Sequence, residues 1–266
     1  APESFDDAKY SATRERSVGL GVMGFHSFMQ KNMIPIESVM AKVWNKKMFQ
    51  LIDKEVNAAS KKLAEERGPC PDAAEYGINE RFSNKTAIAP TASISIICGG
   101  ASPGIEPIAA NSYTHKTLSG SFNVRNKYLR KILQKYNQDT NEVWSSITTN
   151  QGSIDHLDFL SQDEKDVFKT AFEIDQRWLI DHSADRTPYI SQAQSLNVFI
   201  PADIHKKQLH QIHYQAWKKG LKSLYYCRSK SIQRAEVVND SFAKTKKQKE
   251  QVKQQTTDYE ECLSCQ

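Results

Sequence analysis

No apolar run in this chain is long enough to cross a bilayer. The longest, around Ile94 to Cys98, falls far short of the roughly 20 residues a spanning helix needs. The N-terminus lacks the charged, apolar and small-residue regions of a secretory leader, so a soluble, cytoplasmic protein with no membrane partner is expected. Cysteine is scarce: Cys70, Cys98, Cys227, Cys262 and Cys265 make an odd count of five, with only one pair close in sequence. A secreted disulfide scaffold is denser and even-numbered, so a reducing compartment fits better. No starting methionine precedes Ala1-Pro2-Glu3, which processing, truncation or a split gene would each produce. A strong excess of one charge is missing too. The 36 basic residues face 31 acidic ones, and a net +5 suits an anionic small molecule as well as a nucleic acid.

What is present suffices for one sizeable core or two modest ones: 266 residues, 39% of them hydrophobic. Helical spacing of Val18, Val22, Phe25 and Met29 predicts a helix from Arg16 to Gln30. The strongest helical pattern runs from Glu37 to Arg67, with an apolar stripe of Val39, Val43, Phe49, Ile52, Val56, Ala59 and Leu63, and Gly68-Pro69 as its stop. Further helices are expected at 127–136, 162–172, 175–183 and 204–219, and strands at 86–89, 196–200 and 221–227. Strands followed by helices imply an α/β fold with parallel strands. From about Arg234 large apolar residues nearly vanish while Lys and Gln accumulate. That stretch cannot offset its ordering entropy, which predicts a folded part over 1–233 and a disordered tail over 234–266.

Several motifs carry chemistry, each beside a plainer explanation. Gly19-Leu20-Gly21-Val22-Met23-Gly24 matches the dinucleotide pattern G-x-G-x-x-G, which would make the chain a nicotinamide-dependent dehydrogenase. The residues before it are polar rather than a buried strand, and no acidic residue ends a second strand about 20 residues on. Close packing of a helix on a neighbour explains the glycines better. In Pro90-Thr91-Ala92-Ser93-Ile94-Ser95, small hydroxyl side chains follow a strand; a helix starting there would offer N–H groups to an anion, against an ordinary capped turn. Tyr225-Tyr226 could serve one-electron traffic or be ordinary strand aromatics. On a regular strand the two rings point to opposite faces, so stacking needs a strand end or a distortion.

Cys262-Leu263-Ser264-Cys265 is a dithiol able to close to a disulfide. As half of a zinc site it lacks a second Cys-x-x-Cys, and His205, His210 and His213 read as solvent-face residues, so no metal is expected. The stretch from Cys227 to Cys262, as a flexible coil, has an r.m.s. span of about 30–36 Å. The run Lys244, Lys246, Lys247, Lys249 lacks interleaved aromatics and fits a solvated linker better than a nucleic-acid contact, although a non-enzymatic, basic-tailed interaction module stays open.

Taken in order, these segments resemble the C-terminal part of the large, catalytic subunit of class I ribonucleotide reductase. The resemblance rests on Arg16-Ser17-Val18-Gly19-Leu20-Gly21-Val22, Ala89-Pro90-Thr91-Ala92-Ser93, Gly104-Ile105-Glu106-Pro107, Leu118-Ser119-Gly120 and Gln194-Ser195-Leu196-Asn197. It continues through Trp217-Lys218-Lys219-Gly220-Leu221-Lys222 into Tyr225-Tyr226 and Arg228, and ends at the terminal cysteine pair. It implies the last portion of a ten-stranded α/β barrel. It implies that Thr91, Ala92, Ser93, Ile94 and Ser95 bind the phosphates of a ribonucleoside diphosphate, and that Tyr225 and Tyr226 relay a radical from a separate, metal-containing small subunit. It further implies that Cys262 and Cys265 re-reduce the active site and are reduced in turn by thioredoxin or glutaredoxin. No cofactor would bind this chain directly. The family's Asn-x-Cys-x-Glu loop and its reducing cysteine pair are missing here, and Cys70, Cys98 and Cys227 have no matching context, so they read as ordinary thiols. A companion N-terminal part of the large subunit must then supply the missing groups, and this chain alone should be inactive.

Overall fold

The computed structural model describes residues 4–117 and 120–229, so the Leu118-Ser119 pair, the proposed boundary at 233, the lysine run, Cys262 and Cys265 lie outside the described residues. Four extended segments lie side by side in chain order, all parallel. Val18 and Leu20 donate N–H groups to the carbonyls of Asn84 and Lys85. Ile88 then donates to Ala193, Ser195 donates back to Ile88, and Tyr225 donates to Leu196. The last pair is a regular parallel ladder of β3 (Val198–Ile200) and β4 (Cys227–Ser229). Parallel neighbours need crossover connections, and here helices supply them.

After α1 (Asp6–Glu15) the chain enters the wall through 17–23, and only then forms α2 (Phe25–Lys31). This corrects the expectation of one helix over 16–30. A Cβ at Gly21 would lie 2.5 Å from the Ala87 carbonyl oxygen, and one at Gly19 would lie 3.2 Å from the Ala87 Cβ. The glycines therefore let one strand approach another, and the pattern that mimics helical spacing is a strand followed by a helix.

α3 (Val39–Arg67) begins on Ser38, whose Oγ accepts from the Ala41 N–H at 3.1 Å, and ends at Gly68 with φ 78°. Its buried face shares only Phe49 with the predicted stripe. Ala41, Asn45, Phe49, Ser60 and Ala64 are buried, while Val39 is 73% exposed. Small and polar residues win because they make specific bonds. Asn45 Nδ2 donates to the His182 carbonyl at 2.8 Å, and Ser60 Oγ accepts from the Arg81 N–H at 3.1 Å. The short helices α4 (Pro71–Glu75) and α5 (Ala92–Ile97) follow. An antiparallel hairpin of β1 (Ser112–Thr117) and β2 (Gly120–Arg125) was not expected from the sequence.

Helices α6 (Lys127–Lys135), α7 (Asn141–Thr149) and α8 (Gln162–Val167) form a satellite core around Leu129, Leu133, Trp144, Ile147 and Phe168. The predicted helix over 162–172 stops at Val167. α9 (Gln176–Arg186) and α10 (Lys206–Lys218) pack against each other, and α9 also packs on α3. The main core joins these helices to the wall through Phe49, Ile88, Ile180, Leu196, Val198, Ile200, Ile212 and Ala216. No described helix is long and apolar enough to cross a membrane.

Two histidines are sealed in this core as neutral rings. His26 Nδ1 accepts from the Ile108 N–H at 3.1 Å, and burial pulls its pKa down to about 3. His182 Nε2 lies 2.7 Å from the Ile36 carbonyl and must donate to it; burial, with Arg186 nearby, pulls this ring down to about 4. Unfolded histidine titrates near 6.5, so below about that pH the unfolded chain binds more protons than the folded one. Stability should therefore fall by about 1.4 kcal/mol per pH unit for each ring between about pH 6 and 4. Urea midpoints across that range check it, and His182→Phe should flatten the slope.

Candidate functional site

Pro90 delivers the chain to Thr91, which sits in the left-handed region at φ 53° and opens α5. That conformation is uncommon for a β-branched residue and is held by its surroundings. Thr91 Oγ1 does not cap the helix; it accepts from the Gly104 N–H at 2.7 Å and closes the loop between α5 and Gly104. Gly104 has φ 48°, and a Cβ there would lie 2.9 Å from the Ala89 carbonyl oxygen. The Ser95 hydroxyl points inward, buried, and donates to the Ala92 carbonyl at 2.8 Å. Ser93 is exposed. Of the five residues expected to hold phosphate, Thr91 and Ser95 thus spend their hydroxyls on the turn. The N–H groups of Ala92, Ser93 and Ile94 have no carbonyl within their own helix to bond, and the Ser93 hydroxyl sits on an exposed residue.

Two residues past Gly104, the carboxylate of Glu106 is buried. Its Oε1 accepts from the Asn197 N–H at 3.0 Å and its Oε2 from Asn197 Nδ2 at 3.1 Å. Burial raises the Glu106 pKa, while the two Asn197 bonds and the Arg228 charge hold it down. Asn197 in turn uses Oδ1 to accept from the Tyr226 N–H at 3.1 Å. The phosphate-type turn and the tyrosine pair are therefore tied through Gly104, Glu106 and Asn197. Neither Glu106 nor Asn197 stood among the expected site residues, although both lie in the quoted motifs. The available signal was a buried acid and amide inside otherwise apolar runs.

The tyrosines precede β4 rather than lie within it, which corrects the predicted strand over 221–227 and removes the opposite-face problem. Their ring centroids are 4.1 Å apart at an interplanar angle of 49°. Tyr225 Oη donates to Tyr226 Oη at 3.4 Å, and each residue is 44% exposed. Arg228 lies over the Tyr226 ring, its Cζ 5.9 Å from the centroid.

Other expected features fall elsewhere. Gly19 and Gly21 lie within a strand, and Gly24 caps α2, so the glycines do not form the strand-to-helix turn of a dinucleotide site. His205, His210 and His213 are exposed on or at the start of α10, as expected. Among the described residues no three His, Cys, Asp or Glu side chains are placed to hold a metal. Cys70 is buried, and Cys98 and Cys227 are exposed.

Asn197→Ala should cost about 2 kcal/mol, because it removes the Nδ2 bond to the buried Glu106 carboxylate and the Oδ1 bond to the Tyr226 N–H together, while the backbone N–H bond to Glu106 Oε1 stays. Because burial raises the Glu106 pKa, the loss should shrink as the pH falls and the carboxylate takes up a proton. Chemical denaturation of both chains over a falling pH series measures both.

The sequence model described as "Ribonucleotide reductase, barrel domain" matches residues 3–76 and 72–227. Over 245 residues, 91% of the chain, the sequence is 47% identical to a protein of Invertebrate iridescent virus 6 named ribonucleoside-diphosphate reductase large subunit. A Caenorhabditis elegans protein of the same name is 32% identical over 98% of the chain. The chain superposes on the alpha subunit of the Actinobacillus ureae class Id ribonucleotide reductase with a TM-score of 0.78 at 38% identity, covering 85% of this chain and 41% of that one. It spans only 25% to 38% of the first three curated relatives it matches. On that match over most of its length, the chain belongs to the ribonucleotide reductase barrel-domain family.

Proposed function

We propose that this chain is the C-terminal part of a ribonucleoside-diphosphate reductase large subunit and completes its active site together with a companion chain. The observation that carries the proposal is the tilted, closely packed and hydrogen-bonded pair Tyr225–Tyr226, half-exposed and tied through Asn197 and Glu106 to the turn at Thr91. Two phenols in contact can pass an oxidising equivalent from the surface inward, each losing and regaining an electron and a proton. Their exposure suits arrival from a separate radical-bearing, metal-containing small subunit. The N–H groups of Ala92, Ser93 and Ile94 and the Ser93 hydroxyl would hold the substrate's phosphates. Thr91 and Ser95 would position that turn. The companion N-terminal part would supply the cysteine that takes the ribose hydrogen and the thiols that reduce the sugar. Cys262 and Cys265 would then reduce the resulting disulfide by exchange and pass the oxidation to thioredoxin or glutaredoxin.

Reconstitution tests this. The chain alone should give no deoxyribonucleotide, and adding the companion and the small subunit should restore turnover. Cys262→Ser with Cys265→Ser should allow one turnover and stop thioredoxin-driven cycling. Turnover by the lone chain, or unchanged cycling in the double variant, would count against the proposal.

A further inference from the structure

Cys227, the first residue of β4, is exposed and directly follows Tyr226. His213 on α10 faces it, with Nε2 3.9 Å from the Cys227 Sγ. The other ring nitrogen fixes the roles. Nδ1 lies 2.9 Å from the Leu209 carbonyl, which can only accept, so Nδ1 carries the hydrogen in the neutral ring. The Nε2 lone pair is then left toward the thiol. A nucleophile and a base brought together from two elements, with the base oriented by a third group, is the arrangement that activates a weak nucleophile. The exposed Cys98, at the C-terminal end of α5, provides a comparison thiol on the same chain.

We propose that Cys227 and His213 form a thiol-exchange site that takes a low-molecular-weight disulfide and becomes reversibly S-thiolated. In the step, His213 Nε2 takes the thiol proton as Cys227 Sγ attacks one sulfur of the disulfide. A new S–S bond forms to Cys227 and the old one breaks. The departing thiolate leaves with the electron pair and takes the proton from the imidazolium. Cys227 is oxidised by one bond, and half of the incoming disulfide is reduced to a thiol. A reducing thiol reverses the step by the same route.

The adduct would sit one residue from Tyr226, beside the exposed phenols. Its effect on radical entry rests on the proposed function; the chemistry at Cys227 does not.

The test uses the full chain carrying Cys262→Ser and Cys265→Ser, incubated with oxidised glutathione at neutral pH. Adduct formation at each remaining cysteine is followed by peptide mass spectrometry. Cys227 should form the mixed disulfide faster than Cys98, while buried Cys70 stays unmodified. His213→Gln should slow Cys227 about tenfold, below the ~10²-fold of a well-aligned base, and leave Cys98 unchanged. A Cys227 rate no greater than that of Cys98 overturns the proposal, and so does a Cys227 rate indifferent to His213→Gln in a chain whose Cys70 is still protected. If instead Cys70 becomes reactive in that variant, the comparison of Cys227 with Cys98 in the parent chain decides alone.

Discussion

Gly21→Val is expected to cost more than about 4 kcal/mol, a large share of a typical total of ~5–15 kcal/mol. The reason is local and cannot relax cheaply. The new Cβ would meet the Ala87 carbonyl oxygen at 2.5 Å, with Ile88 Cα at 3.7 Å. The next group in line is backbone inside the sheet: the Ala87 N–H donates to Leu20 at 3.0 Å, so retreat of Ala87 breaks the first strand pair. Gly24 is the control. It has φ +81° but only Ala101 Cβ nearby at 3.5 Å, so Gly24→Ala should cost about 1–2 kcal/mol of backbone strain. Circular dichroism and urea titration of both variants measure the difference. The result also bears on nicotinamide binding. A lost NADH signal in Gly21→Val would report unfolding, so the informative measurement is NADH binding by the unmodified chain, expected to be absent.

Tyr226→Phe is expected to abolish nucleotide reduction by the reconstituted enzyme while leaving the fold intact. The substitution keeps the ring that packs against Tyr225 and the N–H bonded to Asn197, and removes the hydroxyl that accepts from Tyr225. With the side chain 44% exposed, stability should change by less than ~0.5 kcal/mol. Phenylalanine has no O–H to lose, so an equivalent arriving at this position has no carrier, and turnover should drop to background. Tyr225→Phe should do the same from the other side of the pair. Deoxyribonucleotide yield with companion and small subunit present, read beside the urea midpoint, separates the two effects. Retained turnover with an unchanged midpoint would remove the tyrosines from the radical route. The prediction differs in kind from Asn197→Ala, which should disturb both stability and the tyrosine geometry.

Legibility from sequence followed the range of the interactions. α3 was readable from its stop at Gly68, and α6, α9 and α10 from apolar spacing, because each is decided within a few residues. The α2 region was misread because its periodicity spans a strand and a helix, and the deciding contact, Gly21 against Ala87, lies far away in sequence. The hairpin of β1 and β2 escaped because its strands, Ser112–Thr117 and Gly120–Arg125, are polar enough to resemble loop. At the candidate site, Thr91 to Ser95 and the tyrosines were marked by residue type. Which hydroxyls remain for a ligand was not, since Thr91 spends its own on Gly104.

By itself the sequence determined the α/β class with parallel strands and the family, and it marked the residues proposed to carry phosphate, radical and thiol chemistry, because these depend on residue types, order and spacing. Only the tertiary structure decided that Glu106 and Asn197 join the turn to the tyrosines, that the two rings meet ahead of β4, and that His213 faces Cys227. Those are meetings between residues far apart along the chain or set by the exact end of a strand. Hydrogen-bond geometry over such separations exists only once the wall and its crossover helices have packed.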